Sequence, residues 1–199
     1  MKNLVIGAVP TGLIVGIIIA VLVVLLIVWV GSTYNKLISL RNKVKNGFSQ
    51  IDVQLQRRFD LIPNLVETVK GYTKHENEIF TEFAKARSLY DRAKAGGDVS
   101  EMAAADKGLS GALGKLMVVS EQYPELKADS NFKSLMNELS NTESKISYAR
   151  QFYNDIVQKY NDKVEMFPGN LVANMFRFEL AKFFEVESEE AKKAPKVQF

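Results

Sequence analysis

The sequence contains no cysteine, a single histidine and a single tryptophan among 199 residues. Without cysteine, a disulfide framework and a thiolate metal site are both excluded. The one histidine, His75, precedes Glu76 but has no second ligand at the spacing of a zinc helix, so metal and general-base chemistry lack a partner. Strong charge of either sign is also missing. With 26 Lys and Arg against 23 Asp and Glu, the formal net charge is +3. That is too little to indicate nucleic acid, and no basic motif interleaved with aromatics occurs. No run alternates apolar and polar residues with period two, so no strand is expected. A nucleophile elbow, a phosphate-binding glycine loop and a calcium loop are absent. Gly108, Gly111 and Gly114 share a helical stretch and suggest close helix packing instead. No catalytic residue, cofactor or metal is assigned.

Charge is missing altogether from "GLIVGIIIAVLVVLLIVWVG", residues 12–31. At a rise of about 1.5 Å per residue this stretch matches the ~30 Å hydrocarbon core of a bilayer. A cleaved signal peptide needs a shorter apolar region and a small-x-small exit, whereas this run leaves through "VWVGST". A transmembrane helix is therefore expected at 12–31, preceded by a short extracytoplasmic stretch, 1–11. The flanking charges set the orientation. Lys36, Arg41, Lys43 and Lys45 follow the run while only Lys2 precedes it, which predicts an outside amino terminus and a cytoplasmic bundle. Those four basic side chains are also candidates for contact with anionic headgroups.

From residue 34 to 166 the apolar spacing is helical. Leu37, Leu40, Val44, Phe48, Ile51 and Leu55 mark a first helix. Leu65, Val69, Tyr72, Ile79, Phe83, Ala86 and Tyr90 mark a second, which stops at Gly96 and Gly97. Asp98 is a candidate cap for a third, carrying Met102, Leu109, Leu113 and Leu116. Ser130 or Asn131 can cap the fourth, in which Phe132, Leu135, Leu139, Thr142, Ile146, Ala149, Tyr153, Ile156 and Tyr160 keep a three-four alternation. Four such segments joined by short connections predict an all-α fold: an antiparallel four-helix bundle with long helices behind one amino-terminal transmembrane helix.

Two stretches stand apart. In "RRFDLIPNL", Pro63 disfavours helical geometry at Ile62 and suits the first turn of a following helix. The expectation is a hairpin turn or interface built from Arg57, Arg58, Asp60, Pro63 and Asn64, with Asp60 as a cap. A kink in one long helix is the alternative. The two arginines would face a neighbouring helix or another subunit, and the acids Asp60 and Glu67 read as salt-bridge partners. The second stretch, 167–186, is a Phe-rich amphipathic helix that includes Met175, Phe176, Phe178, Phe183 and Phe184. It either folds back over the bundle or offers an apolar surface to a membrane or another subunit. A charged flexible tail, 187–199, closes the chain.

Together, "DLIPNLV", "YPELKA", "FPGN" with its Phe-rich sequel and the anchor in front identify a resemblance to the LemA family of bacterial membrane proteins, covering nearly everything after Tyr34. The resemblance implies a helical cytoplasmic domain on an amino-terminal membrane anchor and no established catalytic activity. It also implies membrane organisation, through a family member of magnetosome-forming bacteria. "NGFSQ" departs from the family's usual alanine and tryptophan: Gly47 should loosen the first helix by up to ~1 kcal/mol relative to alanine, while Phe48 keeps an aromatic at the core position. The function expected is that of a non-enzymatic, membrane-anchored structural or scaffold protein that self-associates and organises or shapes the bacterial membrane. Its partners would be the lipid bilayer, copies of itself and another membrane protein, with no nucleic acid. The alternative is an adaptor that presents its bundle to a membrane protease or sensor.

Overall fold

A computed structural model describes residues 11–73 and 77–185. The short amino-terminal stretch, His75 with Glu76, and the tail from residue 186 lie outside the described residues. Seven helices occur in the described chain: α1 (Thr11–Asp60), α2 (Ile62–Lys70), α3 (Asn77–Gly96), α4 (Val99–Ser120), α5 (Pro124–Ala128), α6 (Ser130–Glu165) and α7 (Gly169–Met175). No strand is present among the described residues. The chain divides into two compact units, residues 11–42 with Tyr160–Leu180, and Lys43–Lys159 with residues 181–185.

The larger unit is an antiparallel four-helix bundle formed by α1 with α2, α3, α4 and α6. Tyr90 donates to Asp52 at 2.9 Å and Arg87 reaches Asp60 at 3.4 Å, which sets α3 antiparallel to α1. Arg92 with Glu101 and Lys115 with Glu82 do the same for α3 and α4. The Phe48 and Tyr153 rings, 6.0 Å apart, pair α1 with α6. Ile51, Leu55, Phe59, Leu65, Phe83, Tyr90, Leu109, Leu116, Leu139 and Ile146 are buried together, following the three-four spacing of the sequence. Phe59 stacks on Tyr90 with centroids 4.5 Å apart. Tyr72, expected inside, is exposed and donates to Asp129 instead.

Two local expectations are corrected. The chain does not reverse at "RRFDLIPNL". Only Leu61 separates α1 from α2, it keeps right-handed helical dihedrals, and the Leu65 amide bonds to its carbonyl at 3.1 Å. The kinked-helix alternative describes this stretch, and the next described helix, α3, is the one that runs antiparallel to α1. The physical reason is a substitute donor. Pro63 has no N–H for the carbonyl of Phe59 four residues back, and Arg87 Nη1 of α3 donates to that oxygen at 3.2 Å. Asp60 accordingly caps nothing and pairs with the same Arg87. At the start of α6, the cap is Asp129 rather than Ser130 or Asn131: its carboxylate accepts the Phe132 amide at 2.8 Å. Asp98 caps α4 as expected, accepting from Ser100 and Glu101.

In the smaller unit, the side chains of residues 12–28 are bare, and cover on α1 begins at Trp29 and Val30 and deepens at Thr33 and Leu37. After α6, a cis Phe167–Pro168 peptide and Gly169 lead into α7. A Cβ on Gly169 would lie 2.6 Å from the Lys163 carbonyl oxygen, so the corner admits no larger residue as built. The Phe-rich stretch is helical only to Met175. Arg177, at φ 55°, takes the left-handed position after the helix; its amide bonds to Asn174 O and that of Phe178 to Ala173 O. This paired pattern is a Schellman stop with arginine in glycine's usual place. Beyond it, residues 178–183 run without helical structure.

Candidate functional site

Arg58, Asp106, Glu143 and Arg150 close a ring of alternating charge across three helices of the bundle. Arg58 Nη1 on α1 lies 2.6 Å from Asp106 Oδ1 on α4 and 2.5 Å from Glu143 Oε2 on α6. Arg150 Nη2, one further turn pair along α6, lies 2.6 Å from Asp106 Oδ2 and 3.3 Å from Glu143 Oε1. Ser110 adds its hydroxyl oxygen to Arg58 at 3.1 Å. The side chains of Arg58 and Asp106 are 4% and 2% exposed, while Arg150 and Glu143 are partly open at 32% and 42%. Burial pushes the Asp106 carboxyl above the usual carboxylate range, against the opposing pull of the Arg150 and Arg58 guanidiniums. Each guanidinium touches both acids and each acid touches both guanidiniums, so the four formal charges cancel within the ring. The four ion pairs across α1, α4 and α6 offset the desolvation cost of burying these charges.

Phe184 seals one side. Its ring sits 5.8 Å from the Arg150 guanidinium carbon, it is 4% exposed, and its amide donates to Asn154 at 2.8 Å. Tyr153 donates to the Lys182 carbonyl at 2.8 Å, and burial pushes that phenol up to about 12. Within the larger unit, then, the end of the Phe-rich stretch is folded back on α6. In the smaller unit Tyr160 donates to the Glu179 carbonyl at 2.8 Å, which ties the middle of the stretch to the same helix.

The residues singled out in the sequence are scattered over these features. Arg58 is in the ring, but Arg57 makes only a 3.8 Å exposed pair with Glu138, worth little in water. Asp60 pairs with Arg87. Pro63 and Asn64 are exposed on α2, where the Asn64 carbonyl accepts from Thr68. Lys36, Lys43 and Lys45 are exposed, and so is Arg41, whose guanidinium stands 5.4 Å over the Phe178 ring. Phe183 and Phe184 pack against the bundle core. Phe176 and Phe178 lie 4.7 and 5.8 Å from the Tyr34 ring, and Met175 is exposed. Gly108 packs as expected, with Ala86 3.7 Å from where its Cβ would be, whereas Gly111 and Gly114 face open space. Asp106, Glu143 and Arg150 were not anticipated. The signal was available, because Asp106 falls in the Met102, Leu109, Leu113 spacing, a charge at a core position.

An apolar face completes the inventory. On the larger unit, Val53 of α1 and Tyr148 and Phe152 of α6 are 60%, 76% and 53% exposed and line an open groove of 580 Å³. Groups of His, Asp and Glu able to hold a metal are absent among the described residues.

These features define an all-helical bundle protein, in which α1 alone among the described helices is long and apolar enough to cross a membrane. The chain belongs to the LemA family, whose model matches residues 47–199. It is similar to magnetosome protein MamQ 2 of Paramagnetospirillum magneticum, with 28% identity over 175 residues, 76% of this chain and 64% of that protein. Magnetosome protein MamQ of Magnetospirillum gryphiswaldense is 25% identical over 174 residues, again 76% and 64%. Protein LemA of Metamycoplasma hominis is 28% identical over 146 residues, 73% of this chain and 65% of that protein. The chain thus spans somewhat less than two thirds of the length of these relatives.

Proposed function

We propose that this chain is a non-enzymatic, membrane-anchored scaffold that self-associates and organises or shapes the bacterial membrane, with its bundle on the cytoplasmic side. The observation that carries the reading is the exposed Val53, Tyr148 and Phe152 face, on a bundle whose first helix starts as the apolar run. Anchoring copies in one bilayer raises their effective concentration, so a modest apolar face suffices for association. The family resemblance implies membrane organisation, and the chain is similar to proteins named for the magnetosome. The asymmetry of Lys36, Arg41, Lys43 and Lys45 supports the orientation.

An adaptor for another membrane protein would use the same groove. A version in which the Phe-rich stretch swings away to admit a partner is disfavoured, because Phe184 is buried and the stretch is held through Tyr153 and Tyr160.

Because native cysteine is absent, single-cysteine variants report proximity cleanly. Tyr148→Cys in the full chain, oxidised in native membranes, is expected to give a disulfide-linked homodimer, whereas Ala95→Cys, on an exposed position of α3, is not. A Tyr148→Cys protein that stays monomeric, or that links only to a different protein, contradicts self-association through this face.

A further inference from the structure

We propose that the corner formed by residues 166–176 inserts Met166, Phe167, Leu171, Met175 and Phe176 into the headgroup region of the leaflet in which the anchor ends. The proposal rests on the reading of residues 12–31 as a membrane-spanning helix and adds a second, monotopic contact to it. Within the smaller unit, the first support is register. The Phe176 ring lies 4.7 Å from that of Tyr34, and Tyr34 is three residues past the apolar run, about 4.5 Å along a helix axis. Trp29 and Val30, where cover on α1 begins, are still inside the run. Phe176, at the carboxy-terminal edge of the corner, is therefore level with the end of the anchor, the depth at which aromatic side chains collect in membrane proteins.

The second support is sidedness. Gly169, Val172 and Ala173 turn α7's inner face to the protein. Its outer face is not the polar one of a helix meeting water. Leu171 and Met175, one turn apart, are 57% and 60% exposed, and the flanking Met166, Phe167 and Phe176 are 64%, 79% and 47% exposed. Five large apolar side chains so close together form a surface that a water-facing unit rarely carries. The third is charge. Lys36, Arg41 and Arg177 of the same unit are all exposed and available to anionic headgroups, and they outnumber the exposed acids Glu165 and Glu179 beside the corner.

The full chain, carrying one fluorophore on a cysteine introduced at Phe167 or Leu171, is reconstituted in vesicles of zwitterionic and anionic phospholipid. Quenching by nitroxide lipids labelled near the headgroup is compared with quenching by aqueous iodide, with Leu22→Cys and Ala95→Cys as references. Thermal melts followed by circular dichroism establish that each variant folds. At 167 and 171 the headgroup nitroxide is expected to quench several-fold more strongly than iodide, with the reverse at 95. If 167 and 171 are as open to iodide as 95 while 22 is shielded, the anchor stands and the inserted corner is overturned. If neither quencher reaches 167 and 171, protein covers them, which also overturns it. Iodide access at 22 would refute the anchor itself and the corner with it.

Discussion

Arg58 places one guanidinium nitrogen among Asp106, Glu143 and Ser110, and almost nothing of its side chain meets water. Charges so buried are costly to unbalance. Asp106→Ala leaves two guanidiniums facing one partly exposed glutamate, and the expected loss is about 3 to 5 kcal/mol in urea unfolding of the bundle. Replacing all four ring residues by apolar side chains of similar volume is expected to recover most of that loss, since the desolvation cost disappears with the charges. Failure of that quadruple variant to fold would give the ring a role in specifying the fold beyond its energy. At the surface the sign of pH dependence is set by the caps. The Glu101 amide, helped by that of Ser100 and by Lys182, holds the Asp98 carboxyl below its ordinary value, and the Phe132 amide does so for Asp129. A carboxyl whose folded value is depressed stabilises only while ionised. Its contribution is complete above the unfolded value near pH 4 and is lost as pH falls through the lowered one. Asp98→Ala should therefore cost about 1 kcal/mol at neutral pH, shrinking towards zero near pH 2 in melts followed by circular dichroism. Asp98 was legible as a cap because it follows a glycine pair. Asp129 was missed because a serine and an asparagine beside it are equally good capping residues, and only the backbone decides among them.

Helix identity and core face were readable from spacing alone, which is why Ile51, Leu55, Leu109 and Leu139 are buried where the pattern puts them. Ends were less readable, because they depend on remote contacts or on backbone dihedrals that spacing does not show. Pro63 looks like a turn until Arg87, 28 residues from Phe59, is known to donate to the freed carbonyl. Arg177 looks like ordinary helix until its left-handed dihedral is seen, and no glycine marks the stop. A non-glycine residue in that region carries strain of about 1 to 2 kcal/mol. Arg177→Gly is accordingly expected to stabilise the α7 corner by about 1 kcal/mol, read as an upward shift in melting temperature of the full chain in detergent. An unchanged or lower value would mean that the arginine side chain itself holds the corner. In the sequence, a bilayer contact was one of two alternatives for the Phe-rich stretch as a whole, and spacing could not divide the stretch between them. Its later phenylalanines belong to the protein interior, and the exposed apolar side chains start earlier, at Met166 and Phe167.

At the level of the whole molecule, α1 runs for 50 residues, about 75 Å as an α-helix, and its apolar part and its bundle part are one element. Among the described helices α1 is the one long and apolar enough to cross a membrane, and the chain belongs to the LemA family. The face proposed for self-association was not legible in the sequence, because Val53, Tyr148 and Phe152 come from two distant helices and become one face only in the folded bundle. The proposed scaffold requires that many copies meet in the bilayer plane through such faces. Electron cryotomography of the full chain reconstituted in vesicles tests this most directly. The account predicts ordered clusters, rings or arrays that change local membrane shape and disappear in a Tyr148→Glu, Phe152→Glu variant. Dispersed single bundles on undisturbed vesicles, indistinguishable between the two proteins, would contradict it.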